Sequence, residues 1–225
     1  IIGVGMFSIP FSFVQAGFFL GTLELFILTG VIMIFHLFYG EIVLKTKELH
    51  RLPGYVRIYL GSRAAWLARF SAIFGILGTL LVYIIVGSIF LKSIFEYFGV
   101  SADESILAAS FALAGAVVTL LSLKKEAVIN GILTAILLGF IIFLSVYLFP
   151  KINPENISGF NLSEAFLPYG VLLFALSGGV VIPDLMTLLG RDRKKARLAI
   201  TVGTLIPAVI YFIFALAVVG TVGAG

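Results

Sequence analysis

Long apolar segments restrict the fold of this chain more than any other feature of its sequence. Seven of them, separated by short polar loops, lie at about residues 1–18, 20–44, 66–98, 105–123, 127–149, 166–189 and 198–222. A helix needs about 20 apolar residues to cross a bilayer, so the first segment spans one only if further residues precede Ile1. Because 61% of the residues are hydrophobic and 12% are charged, the chain is too apolar for a water-soluble core. The sequence predicts an all-α integral membrane protein with one multi-pass transmembrane domain over residues 1–225.

The Lys and Arg side chains lie almost entirely in alternate loops. The loops after segments 2, 4 and 6, with Arg69 just beyond the first of them, hold all of the 15 Lys and Arg residues except Lys92 and Lys151. Because Lys and Arg accumulate on the cytoplasmic face of a membrane, we expect these loops and the N-terminus to be cytoplasmic, in the cell membrane. The net charge of +4 then reflects topology, and we expect lipid rather than nucleic acid as a partner.

Segments 1 and 6 contain nearly the same glycine-containing phrase ending in proline. The phrases are Gly3-Val4-Gly5-Met6-Phe7-Ser8-Ile9-Pro10 and Leu176-Ser177-Gly178-Gly179-Val180-Val181-Ile182-Pro183. Glycine and proline weaken helices, and broken backbone in a bilayer must face protein or a water-filled cavity. Since the loop charges orient the two segments oppositely, the pair indicates a transporter built from an inverted repeat. The first repeat would cover residues 1–149, and residues 166–225 would begin a second that continues beyond Gly225.

The two breaks supply the candidate substrate-binding residues. At the first, the N–H groups of Gly3, Val4 and Gly5 and a helix N-terminus favour a carboxylate. Phe174, one turn before the second break, can close over a substrate. Tyr83, in segment 3, has a hydroxyl that needs a partner in a dry environment. Close helix packing is the alternative explanation for the glycines; Phe174 would then face lipid, and Tyr83 would bond to a neighbouring helix.

Ionisable side chains within the segments are candidates for gating or ion coupling. Asp184 stands at the start of the second half of segment 6, where the helix dipole alone would also account for it. Glu41, at the end of segment 2, can pair with basic loop residues. His36 can titrate near neutral pH, although an interhelical hydrogen bond is the preferred interpretation. Lys92 and Glu96 have the i,i+4 spacing of an ion pair.

Other function classes lack their motifs. The sequence has no HExxH, Walker or nucleophile-elbow motif and no cysteine, so we predict no enzyme activity, no cofactor and no metal ligand. A retinal protein would need a lysine within residues 198–222, where none occurs. A metal-ion transporter would need carboxylates at the first break, which has none. A non-transporting membrane sensor stays open as an alternative.

The same motifs resemble those of the amino acid–polyamine–organocation superfamily. The phrase in segment 1 is similar to the first-helix motif of that superfamily. Tyr39-Gly40-Glu41 followed by Leu52-Pro53-Gly54-Tyr55 is similar to the end of its second helix and the next loop. The run from Ser177 to Asp184 resembles its sixth helix in the amino acid/auxin permease and aromatic amino acid permease branches. The resemblance implies a LeuT-type fold of 5+5 helices and secondary transport of amino acids by alternating access.

The resemblance also implies roles for individual residues. The substrate carboxylate would meet the backbone at Gly3 to Gly5, and the amino group would meet carbonyls of Leu176, Ser177, Gly178 and Gly179. Phe174 would be the outer gating aromatic. Segment 5 lacks the central lysine of one proton-coupled variant, and the usual sodium ligands lie beyond residue 225, so the coupling ion is left as H+ or Na+. Another small solute or a metal ion is the alternative substrate; the particular amino acid and the oligomeric state are not predicted.

Overall fold

Helices make up almost all of the chain in the computed structural model, which describes residues 4–120 and 123–223. The α-helices are α1 (Ile9–Ala16), α2 (Phe18–Lys45), α3 (Leu52–Tyr97), α4 (Glu104–Thr119), α5 (Leu123–Leu148), α6 (Phe166–Leu176), α7 (Ile182–Leu188) and α8 (Arg193–Val222). Short 3-10 helices cover Val4–Ser8, Phe149–Lys151, Pro154–Ile157, Leu162–Glu164 and Gly179–Val181. No strand occurs in these described ranges, which agrees with the predicted all-helical class.

Five of the seven predicted segments form helical stretches long and apolar enough to cross a membrane. These stretches are Phe18–Lys45, Leu52–Tyr97, Val128–Lys151, Leu162–Leu188 and Arg193–Val222. The other two segments form the shorter apolar helices Val4–Ala16 and Glu104–Thr119. By length and composition, the chain is a multi-pass membrane protein with five, rather than seven, full-length spans among its described residues.

The third helix departs most from its predicted bounds. α3 begins at Leu52 instead of near residue 66, and Gly61 interrupts it with φ 84° and ψ 179°. Glycine adopts this conformation at little steric cost, and Pro53 suits the first turn because no intrahelical bond needs its missing N–H. The charged residues around Arg57 hide this first stretch from a search for apolar segments.

The chain divides into two compact units. Residues up to Tyr59 and from Leu138 onward form the first unit, and Leu60–Leu137 form the second. α2 and α8 pack antiparallel and form the frame of the first unit. At one end Glu41 of α2 contacts Arg197, near the start of α8, at 2.9 Å. Toward the other end, the ring centroids of Phe26 and Phe212 lie 5.8 Å apart.

Helix α1 lies at the centre of the first unit, in contact with α2, α6 and α8. Its side chains Ile9 and Phe13 are fully buried, as is Met6 in the preceding 3-10 helix. Gly21 of α2 allows a close approach here, because a Cβ on it would lie 2.5 Å from a ring carbon of Phe13. The first predicted break is therefore enclosed by helices rather than exposed at the edge of the unit.

One end of the first unit carries its basic loops, as the loop charges predict. This basic end consists of the C-terminus of α2, the start of α3, α7 and the N-terminus of α8, with Lys45, Lys47, Arg51, Arg191, Arg193, Lys194, Lys195 and Arg197. Asp192 caps α8 by accepting hydrogen bonds from the N–H groups of Lys194 and Lys195 at 2.9 and 3.1 Å. The hydrogen bond from the N–H of Lys195, and to a smaller extent the one from Lys194, lowers the pKa of Asp192 below its ordinary value.

The second unit contains an ion pair that differs from the predicted one. Lys92 of α3 pairs with Glu104 at 3.3 Å, not with Glu96. Glu104 is in the first turn of α4, where Asp103 accepts hydrogen bonds from two backbone N–H groups. Within this unit the ring of Phe111 lies close enough to Gly87 that a Cβ would be 2.6 Å from it. The packing of α4 on α3 therefore replaces the local i,i+4 partner with a tertiary one.

Candidate functional site

The two predicted breaks have the same local structure. In the first, the 3-10 helix Val4–Ser8 leads directly into α1, which begins with Ile9 and Pro10. In the second, the 3-10 helix Gly179–Val181 leads into α7, which begins with Ile182 and Pro183. Proline is favourable in a first helical turn. Each proline therefore starts a helix, and the interruption lies in the residues that precede it.

Ser177 and Gly178 form the interruption of segment 6. Ser177 leaves the helical conformation with φ −67° and ψ 107°, and Gly178 follows with φ −138° and ψ 8°. Leu176 and Gly178 are buried, whereas Ser177 is exposed and Gly179 is half-buried. The predicted break in segment 6 is thus present, and it exposes a polar side chain in an apolar span.

The first break contacts the last turn of α6, directly before the second break. A Cβ on Gly5 would lie 2.7 Å from Cδ1 of Phe174 and 3.2 Å from Cα of Ala175, so only glycine fits without displacing α6. At the far end of α1, the N–H of Asn161, in the loop before α6, donates to the carbonyl oxygen of Ala16 at 2.9 Å. α1 and α6 therefore run antiparallel, as predicted for segments 1 and 6.

Backbone groups on both sides of this contact are available to a ligand. The N–H groups of Val4 and Gly5 begin a 3-10 helix and have no acceptor within it. Among the described residues, no hydrogen bond reaches the carbonyl oxygens of Leu176 and Ser177. Donors at a helix start favour an anion, and acceptors at a helix end favour a cation. Gly3, the remaining predicted residue of the first break, lies outside the described residues.

Tyr211 is a site residue that the sequence analysis missed. Its hydroxyl donates to the carbonyl oxygen of Ala175 at 2.9 Å, and the side chain is fully buried. This carbonyl belongs to the last turn of α6, where intrahelical donors run out. A tyrosine in the middle of an apolar segment was the available signal, because a buried hydroxyl needs a partner. Tyr211 therefore ties α8 to α6 beside the break.

Replacing Tyr211 with phenylalanine is expected to lower the free energy of unfolding by about 1–3 kcal/mol, since a buried carbonyl then lacks its donor. Chemical denaturation in detergent, followed by near-UV circular dichroism, measures the change. The matched control is Tyr169→Phe on α6, whose side chain is 47% exposed. Equal stability of both variants and the unchanged protein would show that the bond to Ala175 does not hold α6 in place.

His36 lies against the second break from α2. Its Nδ1 is 3.2 Å from the hydroxyl oxygen of Thr204 on α8. On the other side of the ring, Nε2 is 3.6 Å from the position that a Cβ on Gly179 would occupy. The side chain is 8% exposed. The predicted interhelical hydrogen bond of His36 is therefore present, and the rest of the ring faces the start of the 3-10 helix.

Both predicted acidic residues form ion pairs at the basic end. Oε1 of Glu41 accepts from Arg193 and Arg197 at 2.9 Å each, which confirms that it pairs with basic loop residues. Asp184, in the first turn of α7, accepts from Arg51 at 2.9 Å. Arg51 also donates to the carbonyl oxygen of Val180 at 3.2 Å, which links the start of α3 to the second break.

Arg191 joins α2 to the loop between α7 and α8. Its guanidinium donates to the carbonyl oxygens of Val43 and Leu44 at 2.8 and 3.0 Å, to that of Thr46, and to that of Lys47 at 3.2 Å. Val43 and Leu44 belong to the last turn of α2, whose carbonyl oxygens lack intrahelical donors, and Thr46 and Lys47 directly follow the helix. The sequence analysis counted Arg191 only as a loop charge, and its role depends on a contact distant in sequence.

Tyr83 lies on α3 in the second unit and is 40% exposed. The first unit contains all of the residues that meet at the breaks, namely Val4, Gly5, Phe174 and Ala175. The contribution of Tyr83 to substrate binding accordingly stays a prediction.

The apolar helices of spanning length and the two neighbouring helix breaks define a multi-pass membrane protein with a candidate solute site among its helices. The sequence model of the tryptophan/tyrosine permease family matches residues 1–224. The chain therefore belongs to that family. No curated protein and no solved structure matches it significantly. Membership identifies an amino acid transporter that works in a lipid membrane, rather than an enzyme.

Proposed function

We propose that this protein is a secondary active transporter that moves tryptophan and tyrosine across the cell membrane by alternating access, driven by H+ or Na+. The contact between the first break and the last turn of α6 carries this proposal, because it places free backbone donors and acceptors together inside a helical bundle. Discontinuous helices of this kind build the substrate sites of many secondary transporters. Family membership supplies the amino acid class of the substrate.

The backbone at the breaks accounts for binding of the part that all amino acids share. In the proposed complex, the carboxylate accepts from the N–H groups at Gly3, Val4 and Gly5. The ammonium group meets the carbonyl oxygens of Leu176 and Ser177 and the backbone that continues to Gly179. Phe174, which packs on Gly5, lies beside the ligand as a gating aromatic.

The repeated local structure supports an inverted repeat of the LeuT type and a place in the amino acid–polyamine–organocation superfamily. Twice in the chain a 3-10 helix leads into an α-helix that starts with Ile-Pro, first at α1 and again at α7. The helices at the two breaks, α1 and α6, are antiparallel, as corresponding helices of inverted repeats must be. In this proposal residues 1–149 form the first repeat and residues 166–225 begin the second.

The ion pairs at the basic end serve as a gate, with that end cytoplasmic. Asp184 and Arg51 are 59% and 68% exposed as side chains, so their pair contributes at most about 1 kcal/mol and breaks readily. The side chain of Glu41 is less exposed, at 21%. Through Arg193 and Arg197 it holds the end of α2 against the start of α8. Opening toward the cytoplasm would separate these groups.

Uptake into proteoliposomes that contain the full-length protein tests the proposed function. Labelled tryptophan is expected to accumulate under an imposed H+ or Na+ gradient, and to enter by exchange when the vesicles hold unlabelled tyrosine. Vesicles loaded with aspartate provide the comparison for exchange. If no aromatic amino acid moves under either gradient or in exchange, the transporter assignment is wrong; tryptophan binding without movement would instead favour a sensor.

A further inference from the structure

We infer that His36 is the proton-binding residue of this transporter, and that its imidazole takes up and releases the coupling proton at Nε2, against the break in segment 6. The inference rests on the proposed function, because it names the coupling ion and its site. Three observations carry it: the hydrogen bonds of the ring, its position beside the break, and its separation from the other ionisable groups of the spans.

The hydrogen bonds at Thr204 determine which ring nitrogen is free. The hydroxyl of Thr204 donates to the carbonyl oxygen of Ile200 at 2.9 Å. Its oxygen is then available only as an acceptor, so Nδ1 of His36, 3.2 Å away, must carry the hydrogen of this pair. In the neutral imidazole Nε2 is therefore an unprotonated acceptor, and among the described residues it has no hydrogen-bond partner.

His36 is the ionisable residue at the middle of its span and beside the break. Apart from His36, no Asp, Glu, Lys, Arg or His occurs within residues 25–40, 70–91, 105–123, 127–149, 166–183 or 198–222. Glu24, near the start of α2, has a carboxylate oxygen that is buried without a hydrogen-bond partner among the described residues, but it lies about 18 Å from His36 along the helix. Ionisable residues inside membrane spans are costly and are typically retained for function. Histidine is the side chain whose ordinary pKa lies closest to physiological pH.

Two acidic groups on the elements packed around His36 are paired with arginines. On α2 and α8, Glu41 pairs with Arg193 and Arg197, and on α7 Asp184 pairs with Arg51. The 3-10 helix Val4–Ser8, α1 and α6 contain no charged residue. The other ionisable groups on these elements are Glu24 and Lys45 toward the two ends of α2, Lys194 and Lys195 at the start of α8, and the hydroxyls of Tyr39, Tyr169 and Tyr211.

Proton binding at Nε2 changes what the ring offers to the break. The neutral ring presents an acceptor toward Gly179, whereas the protonated ring presents an N–H donor and a positive charge. The residue that Nε2 faces, Gly179, begins a 3-10 helix, and the N–H groups at a helix start disfavour a cation. Protonation thus destabilises the arrangement in which the break lies against His36 and favours the one in which they separate. A proton that binds one conformation better than the other is what coupling to alternating access requires.

Two substitutions that cannot carry the proton test this role. His36→Asn keeps a polar group near the position of Nδ1, and His36→Gln keeps one near Nε2. In proteoliposomes holding the full-length protein, both variants are expected to retain exchange of labelled tryptophan for tyrosine. Both are expected to lose accumulation driven by a proton gradient and the tryptophan-dependent proton entry reported by a trapped pH dye.

The matched control is His50→Gln, which removes the other histidine of the sequence and should leave proton-driven accumulation in place. The inference is overturned if either His36 variant still accumulates tryptophan with proton entry, or if the unchanged protein accumulates tryptophan without proton entry. Loss of exchange together with accumulation in both folded variants would assign His36 a structural role and also overturns it. Failure of exchange in the unchanged protein would instead count against the proposed function.

Discussion

Replacing Gly5 with leucine is expected to abolish tryptophan and tyrosine uptake while the protein still inserts into the membrane. Even a single Cβ at this position would lie 2.7 Å from the ring of Phe174 and 3.2 Å from the backbone of Ala175. Interiors packed at this density do not absorb added volume without shifts of the backbone. A leucine would therefore separate the two breaks and remove the proposed site, and uptake of labelled substrate by proteoliposomes measures the loss.

Two further variants separate this effect from a general intolerance of larger side chains. Gly30→Leu on α2 is the matched control, because no atom lies within 4 Å of the position its Cβ would occupy; it should transport normally. Gly5→Ala should impair uptake, and Phe174→Leu in the same chain should restore part of it by relieving the contact. Normal uptake by Gly5→Leu would refute the assignment of the site to this contact, and failure of that variant to insert would indicate a packing role only.

Replacing Arg191 with glutamine is expected to destabilise the basic end by about 1.5–3 kcal/mol, the range for hydrogen bonds to a charged group. The guanidinium serves four carbonyl oxygens at the end of α2, and a neutral amide cannot reach them all. The free energy of unfolding, obtained from denaturant titration in detergent, measures the effect. Hydrogen–deuterium exchange should rise first in the last turn of α2.

Arg57→Gln is the control for charge removal, since Arg57 is exposed and near the same end. Surface substitutions of this kind usually change stability by less than about 0.5 kcal/mol. If both variants lose the same stability, the net charge of the basic end matters and the bonds of Arg191 do not.

The sequence predicted those features that depend on local chemistry. Apolar length located most helices, and the loop charges oriented segments 1 and 6 oppositely, in agreement with the antiparallel packing of α1 and α6. Glycine and Ile-Pro marked both breaks because backbone freedom and a missing N–H are properties of single residues. The same reasoning placed the start of α3 too late, because charged side chains interrupt the apolar pattern there.

Predictions about ion pairs succeeded only in their general form. Glu41 was expected to pair with basic loop residues, and it does so with Arg193 and Arg197, which are distant in sequence. Lys92 had two acidic residues in reach, and the local choice was wrong because the start of α4 packs beside α3. The role of Tyr211 depends on a carbonyl on another helix, and no local pattern specifies that distance.

The sequence alone therefore determined that this protein is helical and embedded in a membrane, and that two of its segments are interrupted at corresponding positions. Hydrophobicity, charge and backbone restrictions decide these points residue by residue. Only the tertiary structure decided that Gly5 packs on Phe174, that Tyr211 bonds the end of α6, and that His36 turns a free nitrogen toward Gly179. Such contacts join residues far apart in the chain, and their geometry arises from the packing of all the helices together.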